Sequence, residues 1–338
     1  MSVIDAVNNI LASASDKGLF NRVLAVRSLG TVSAATATSG YVTTMRMGAP
    51  IVMPAAFGTG ITRAYLNYCK FGAVAATVGI LGLEYTLLTF RYVNITMTAN
   101  VNNTLTITGH GCNDGDFVQF RTATTLPAPL APLTNYYVIN STTNTMEVSL
   151  TSGGAAIDIT DTGVGAHTLT WVNTPGVTMP TKNIRVDGAD NSVQTASLFP
   201  LLAISTNLTG ATNPVYTITY TDQDGNSGAN CTMTLPSSPA ASSTYQMAPH
   251  LASGDTGIRA ISDMTSSVNG TAGVFKLIGV LPLAIMPVNG VNVVGDSGHF
   301  MHNFPIFPVE VNESINMYIL NNTAQNFYYT AFSLAADI

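Results

Sequence analysis

The fold class follows from the stretch AVAATVGILGLEYTLLTFRYVNITMTA, residues 73–99. It is rich in β-branched and aromatic residues and is punctuated by glycine, which is typical of strands. Together with IVMPAAFGTGITRAYLNYCKF, residues 51–71, it begins a series of strand-like runs that recurs about every 8–12 residues to the C-terminus. This rhythm predicts an all-β protein with a β-sandwich or barrel core.

The end of that stretch also begins a predicted small β-module, residues 94–172. DFVQFRTA, residues 116–123, predicts one strand, and NYYVINSTTNTMEVSL, residues 135–150, predicts a hairpin around 141–144. About six short strands can form a small barrel or sandwich with a modest core of its own. We expect Trp171, in the last of these strands, to pack in the core or at the seam of the module.

The sequences on either side of the module indicate that it is an insertion. LLTFRYV, residues 87–93, and PGVTMPTKNIRVDG, residues 175–188, are strand-like pieces that could be neighbours in one sheet. The chain is therefore predicted to have a β-rich core domain of residues 40–93 plus 173–338, into which the module is inserted.

Residues 1–39 are predicted to form an N-terminal helix and arm. Ser2 and Asp5 fit a loose capping box, after which apolar residues fall on one face at helical spacing until Gly18. A single amphipathic helix ahead of a β-rich chain either packs on its own domain or reaches a neighbouring subunit, and the sequence does not separate the two. We predict that it contacts a neighbouring chain.

Charged residues make up only 9% of the chain, against about 25% in an ordinary soluble domain. A surface with so few charges is poorly protected against association, and low charge is expected at permanent interfaces. We therefore expect much of the surface to be covered by partners, although a monomeric, Thr/Asn-rich β-protein is the alternative. The net charge of −6 and the lack of basic runs disfavour a nucleic-acid partner.

The cysteines and the apolar runs bear on the compartment. Cys69, Cys112 and Cys231 are far apart and odd in number, so they predict no disulfide framework and fit synthesis in a reducing place. The N-terminal residues lack the features of a signal peptide. The apolar run 71–83 is shorter than the roughly 20 residues needed to cross a bilayer, so no transmembrane segment is predicted.

The stretch TGHGCNDGDFVQF, residues 108–120, is the first candidate for chemistry. His110 and Cys112 are two residues apart and would share a face of a strand, which is the arrangement of a thiol nucleophile beside its base. The surrounding Gly, Asn and Asp residues are turn formers, however. We interpret the stretch as the turn of a β-hairpin, with a nucleophile or a metal site as the minor alternatives.

The stretch DQDGNSG, residues 222–228, imitates the start of a calcium loop, with Asp222, Asp224 and Asn226 at its first, third and fifth positions. Ser227 stands where such a loop needs Gly, and Met233 where it needs a bidentate Glu. The stretch is therefore predicted to be the turn of a hairpin that spans residues 215–236.

His299 and His302 have a spacing that could hold zinc on a helix, with Asp296 nearby. The flanking Gly and Pro favour a loop instead. We therefore expect no catalytic, cofactor-binding or metal-binding residues, and we expect the chain not to be an enzyme.

Two segments resemble recurring patterns of tailed-bacteriophage virion proteins. The first, residues 104–169, keeps a Gly-His-Gly turn at 109–111, GD-x-V-x-F at 115–120, YYVI at 136–139 and a final G-x-G. The second runs from YTITYTDQDGNSG through GDTG-x-R to a closing PL. The first pattern is shared by capsid and tail proteins, and neither pattern implies catalysis.

The resemblance implies a structural virion protein, and a capsid cement or decoration protein fits best. Its partner would be the major capsid protein, and it would form a homo-oligomer, with a trimer favoured, at the capsid surface of a virion assembled in the host cytoplasm. A major capsid protein fits poorly because no long charged helix is predicted. A tail, baseplate or spike component is the second possibility, and a glycan-binding or glycan-degrading spike is the third.

Overall fold

The computed structural model confirms an all-β fold. It describes the following residues: 21–28, 31–32, 44–46, 51–53, 63–73, 77–132, 134–178, 182–186, 189–194, 198–210, 213–237, 239, 241, 244–247, 250–268, 270–288, 293–297, 308–310, 312–320 and 325–336. The predicted N-terminal helix lies outside these residues.

The strands, in chain order, are β1 Asn21–Ser28, β2 Thr31–Val32, β3 Thr44–Arg46, β4 Ile51–Val52, β5 Arg63–Ala73, β6 Thr77–Ala99, β7 Leu105–Thr106, β8 Phe117–Thr122, β9 Tyr136–Ile139, β10 Thr145–Ser149, β11 His167–Pro175, β12 Lys182–Val186, β13 Ala189–Gln194, β14 Phe199–Thr209, β15 Val215–Asp222, β16 Ser227–Thr234, β17 Thr244–Gln246, β18 Ile258–Ser266, β19 Ala272–Val288, β20 Val293–Ser297, β21 Pro308–Glu310, β22 Ser314–Leu320 and β23 Gln325–Ala336.

Strand β6, with 23 residues, organises the largest sheet. Its first part, residues 78–83, pairs with β22, and residues 77–92 pair with β19. Residues 88–97 pair with β11, and Thr98 and Ala99 pair with β7. The strand therefore joins the main body of the protein to the predicted module without a break, and both predicted boundaries of the module lie inside strands.

The strands of the module close into a ring in the order β6, β7, β10, β9, β8, β11 and back to β6, with every neighbouring pair antiparallel. Its interior holds a separate apolar cluster, called here the ring core. The ring core contains Met97, Leu105, Ile107, Val118, Phe120, Tyr136, Val138, Met146, Val148, Leu169 and Val172, all buried. The predicted hairpin at 135–150 is confirmed by the pairing of β9 with β10.

The main body is a sandwich. Strands β6, β19, β14 and β17 form one layer, and the three-stranded sheet β16-β15-β18 forms the other. Apolar side chains of both layers form the main core, which includes Phe90 of β6, Phe275 of β19 and Tyr216 of β15. The predicted hairpin at 215–236 is confirmed by the pairing of β15 with β16.

Two changes of alternation let β6 serve both cores. In the pairing of β6 with β19, Leu88 lies opposite Leu277 and Thr86 lies opposite Ile278, so Leu87 is an extra residue in β6. At this bulge the side chains of β6 that face the main core change from odd to even positions. Beyond Tyr92 the odd positions again carry apolar side chains, but these now pack in the ring core. Asn94, at this change, has a left-handed φ of 47°, which Asn tolerates better than most residues.

A six-stranded sheet at the other end of the body contains β1, β23, β5 and β20, with β2 paired to β23 and β21 paired to β5. The second part of the predicted arm, residues 21–32, thus contributes strands to this sheet. Strands β12 and β13 form a two-stranded sheet of their own. The division of the chain into domains stays a prediction.

Candidate functional site

The Gly-His-Gly segment is a loop, not the turn of a β-hairpin as predicted. It connects β7 to β8, but these strands do not pair with each other: β7 pairs with β6 and β10, and β8 pairs with β9 and β11. Closure of the ring separates the two strands. The turn chemistry itself is present, because Gly109, Gly111 and Gly115 all have positive φ angles, which glycine adopts without steric cost.

His110 and Cys112 do not form a nucleophile and its base. Both are buried, and Nδ1 of His110 accepts a hydrogen bond of 3.0 Å from the backbone N–H of Cys112. The Cys112 thiol lies 3.7 Å from the carbonyl oxygen of His110 and 3.6 Å from Nη2 of Arg91. Burial raises the pKa of Cys112 to about 12, so the thiol is protonated at neutral pH, the opposite of what a nucleophile needs.

An open cleft of about 590 Å³ lies beside this loop. It is lined by Gly109, Gly111, Cys112, Asn113, Asp114, Ser141, Thr142 and Thr143. Its walls bond to each other: Oδ1 of Asp114 accepts from the N–H of Ser141 at 2.8 Å, and the Ser141 hydroxyl donates to the carbonyl oxygen of Cys112 at 2.8 Å. These bonds fix the loop against the β9–β10 turn.

Asp222 is the centre of a turn. Its Oδ1 accepts from the backbone N–H groups of Asp224 and Asn226, each at 2.8 Å, and its Oδ2 accepts from Nδ2 of Asn226 at 2.8 Å. The side-chain bond from Asn226 is the largest of the effects that lower the pKa of Asp222. Both carboxylate oxygens are engaged within the turn, which agrees with the predicted hairpin turn.

The third candidate lies outside the described part of the chain, because His299 and His302 are not described. Asp296 is in β20. Within the described ranges, no group of three or more His, Cys, Asp or Glu side chains lies close enough together to hold a metal ion.

A polar network that the sequence did not reveal joins the ring to the sandwich. We call it the seam. Nδ2 of Asn173 donates to Oδ1 of Asp263 at 3.3 Å and to the carbonyl oxygen of Met264 at 2.7 Å. Asn135 donates to Asp263 as well, and Nε2 of Gln119 donates to Oδ1 of Asn135 at 2.5 Å. Burial is the main cause of the raised pKa of Asp263.

Aromatic side chains continue the seam. The hydroxyl of Tyr92 lies 3.0 Å from that of Tyr216 and 2.8 Å from that of Ser266. The guanidinium of Arg121 lies 5.3 Å from the ring centroid of Trp171, within the range of a cation–π contact. Trp171 is fully buried in the main core although its neighbours Leu169 and Val172 pack in the ring core, so the expected place at the seam is confirmed.

One sequence signal could have indicated the seam. Gln119 in FVQF and Asn173 in WVNT are polar residues inside otherwise apolar strands, and both are fully buried. Buried amides need partners, so their presence implies an opposing polar surface. Asp263, the partner of Asn173, is 90 residues away from it in the sequence, which no local pattern could supply.

The chain matches no family model, and no curated protein is similar to it. Within the described ranges, no helix is both long enough and apolar enough to span a membrane.

Proposed function

We propose that the chain is a structural protein of a tailed-bacteriophage virion, and specifically a capsid cement or decoration protein that stabilises the head by binding the lattice of the major capsid protein. The proposal begins from the two sequence patterns that resemble virion proteins. It is supported by a charged fraction of only 9%, which favours adhesion through neutral, polar and apolar contacts.

The observation that carries the proposal is the way the two cores are joined. A flexible linker would let the module move independently. Here β6 passes from the sandwich into the ring as one strand, and the seam holds β11 against β18 through Asn173. A body whose parts keep a fixed orientation loses less conformational freedom when it binds a lattice.

The proposed mechanism is multivalent adhesion. Each copy makes weak contacts, and a homotrimer multiplies them because binding of one subunit raises the effective concentration of the others at the surface. The N-terminal residues are proposed to contribute a contact to a neighbouring chain. Deletion of residues 1–17 is therefore expected to lower the occupancy of the protein on particles, measured by quantitative gel analysis, and unchanged occupancy would remove this role.

Electron microscopy of purified particles labelled with an antibody against the chain tests the proposal. We expect label over the surface of the heads. Label confined to the tail or baseplate would support the second function instead, and absence of label from particles that contain the other virion proteins would overturn both.

The glycan-directed alternative has its own test. Incubation of the purified chain with host polysaccharide, followed by measurement of released reducing sugars, is expected to give the same value as buffer. Release that grows with protein concentration would favour a degrading spike.

A further inference from the structure

The three-stranded sheet β16-β15-β18 has two edges, and they differ in how they are covered. Strand β18 forms one edge and carries two charged residues, Arg259 and Asp263. The ring covers this edge, because Nδ2 of Asn173 donates to the carbonyl oxygen of Met264 in β18 at 2.7 Å. Strand β16 forms the other edge, and among the described strands it pairs with β15 alone.

The hydrogen bonds of β16 show which of its backbone groups point away from β15. The N–H of Leu235, just after β16, donates to the carbonyl oxygen of Pro214 at 3.0 Å. In an antiparallel pair, hydrogen-bonded and non-hydrogen-bonded positions alternate along the strand, so every second residue before Leu235 bonds to β15 in the observed register. The N–H and C=O groups of Asn230, Thr232 and Thr234 therefore point to the open edge, and the side chains of these three residues are exposed.

The β16 edge lacks the features that usually protect an edge strand, which are charged side chains, proline and bulges along the edge. Its sequence SGANCTMT contains no charged residue and no proline. The uncharged stretch is longer than the strand, because residues 225–254 include no Asp, Glu, Lys or Arg. The irregularity in its pairing lies at the turn, between Tyr220 and Thr221 of β15, so residues 229–234 form a regular ladder.

We propose that β16 pairs with β16 of a second copy of this chain, in an antiparallel register centred on Thr232. In this register Thr232 lies opposite Thr232 of the second copy, and Asn230 lies opposite Thr234. Each opposite pair with edge-directed groups exchanges two backbone hydrogen bonds, so about six bonds join the two strands. The result is one continuous sheet that runs from β18 of one copy to β18 of the other.

A copy of the same strand fits this edge for two reasons. Charges on an edge strand repel a second copy of that strand, and β16 has none. The edge-directed residues are also spaced evenly about Thr232, so a two-fold axis there places Thr and Asn side chains opposite one another, and such cross-strand pairs of polar residues are favourable. The two-fold contact differs from the three-fold contact of the proposed trimer, and it goes beyond the proposed function because it links copies of different trimers.

The test places charges at Thr232 of the full-length protein and measures self-association by sedimentation equilibrium at about 0.02 M salt. Thr232→Lys puts two like charges opposite each other in the proposed register, and we expect it to raise the dissociation constant about tenfold or more. Thr96→Lys is the matched control, because Thr96 is an exposed threonine on β6, which is already paired with β11 at that residue. Its association is expected to equal that of the unchanged protein.

A mixture of two variants tests whether position 232 faces its own copy. Thr232→Glu alone is expected to weaken association as Thr232→Lys does. An equimolar mixture of Thr232→Lys and Thr232→Glu is expected to associate at least as tightly as the unchanged protein, because opposite charges then face each other across the two strands.

Three results would overturn the inference: a mixture as weak as the single variants, equal association of Thr232→Lys and Thr96→Lys, or a monomeric unchanged protein. Particle occupancy is a separate readout. Absence of the unchanged protein from particles, with association recovered in the mixture, would overturn the proposed function alone. Normal occupancy with no recovery in the mixture would overturn the β16 pairing alone.

Discussion

The ring and the sandwich are two solutions to the same problem of burying a β-sheet. The ring closes on itself through six strands, and its core is mostly aliphatic, with Phe120 and Tyr136 as a pair 6.0 Å apart. The sandwich is open and is filled by a cluster in which Phe90 contacts four other rings at centroid distances of 4.7 to 5.8 Å. The ring has no unpaired edge along its closed path, whereas the sheet β16-β15-β18 ends at β16 on one side.

The difference shows where each region depends on its surroundings. The ring completes its backbone pairing along its closed path, but its side chains Asn135 and Asn173 take hydrogen-bond partners from the sandwich. The sandwich needs the ring for Trp171, which lies on a ring strand but packs in the main core. A substitution at the seam is therefore expected to alter the packing or hydrogen bonding of both regions.

The largest expected effect concerns two cysteines, one in each core. Burial raises the pKa of both Cys112 and Cys231 to about 12 from 9.0, which lowers the thiolate fraction about a thousandfold. In a Cys69→Ser background, we expect both to react with iodoacetamide at least about a thousandfold more slowly in the folded protein than in denaturant. Rates are measured by mass spectrometry. Fast labelling of Cys112 in the folded protein would contradict this prediction and would support a reactive thiol at that position.

The next effect separates the two cores. Phe90→Ala and Phe120→Ala each remove a fully buried ring and are expected to cost about 3–5 kcal/mol of unfolding free energy. Because Phe90 lies on the shared strand, its loss is expected to lower amide protection in both regions by hydrogen exchange. Phe120→Ala is expected to spare β15 and β18, and equal loss there would show that the ring and sandwich unfold as one unit.

The seam gives a smaller effect. Asn173→Ala leaves Asp263 and the carbonyl oxygen of Met264 each with one bond fewer, and we expect a loss of about 1–3 kcal/mol in denaturant unfolding. Asn230→Ala, on the exposed side of β16, is the control and is expected to cost less than about 0.5 kcal/mol. Similar costs for the two variants would mean that the seam contributes little to joining the regions.

The smallest effect is on the pH dependence of stability. The pKa of Asp263 is raised, mainly by burial, so the folded protein binds its proton more tightly than the unfolded chain. This stabilisation is complete below the unfolded pKa of about 3.9 and is lost as the pH rises through the folded pKa. Asp263→Asn is expected to remove that part of the pH dependence in thermal unfolding, whereas Asp224→Asn should retain it.

Local features of the fold could be predicted from the sequence. The alternation in β15 and β16 and the turn chemistry around Asp222 predict their hairpin because both strands and their turn are contiguous. The pairing of β6 with β19 could not be predicted, since Phe90 and Phe275 are far apart in sequence. The turn assignment of the Gly-His-Gly segment was wrong for the same reason, because strand pairing depends on residues that are distant in the sequence. The segment has the composition of a hairpin turn, but β7 pairs with β6 and β10, and β8 pairs with β9 and β11.

The candidate site follows the same rule. The sequence drew attention to His110 and Cys112 because they are close in the chain, and the structure shows a backbone bond and a buried thiol there. The seam residues attracted no attention because Gln119, Asn173 and Asp263 meet only in the folded protein. The consecutive apolar pairs Leu87-Leu88 and Tyr92-Val93 were a local signal of the changes in alternation along β6.

A cryo-electron-microscopy reconstruction of the particle tests the central claim most directly. If the chain is an adhesive body whose ring and sandwich keep one orientation, the reconstruction is expected to show both regions over the capsid lattice at equal density, related by the same transformation in every copy. Sandwich density with the ring averaged away would contradict the fixed seam, and capsids that bear no copy of the chain would contradict the proposed function.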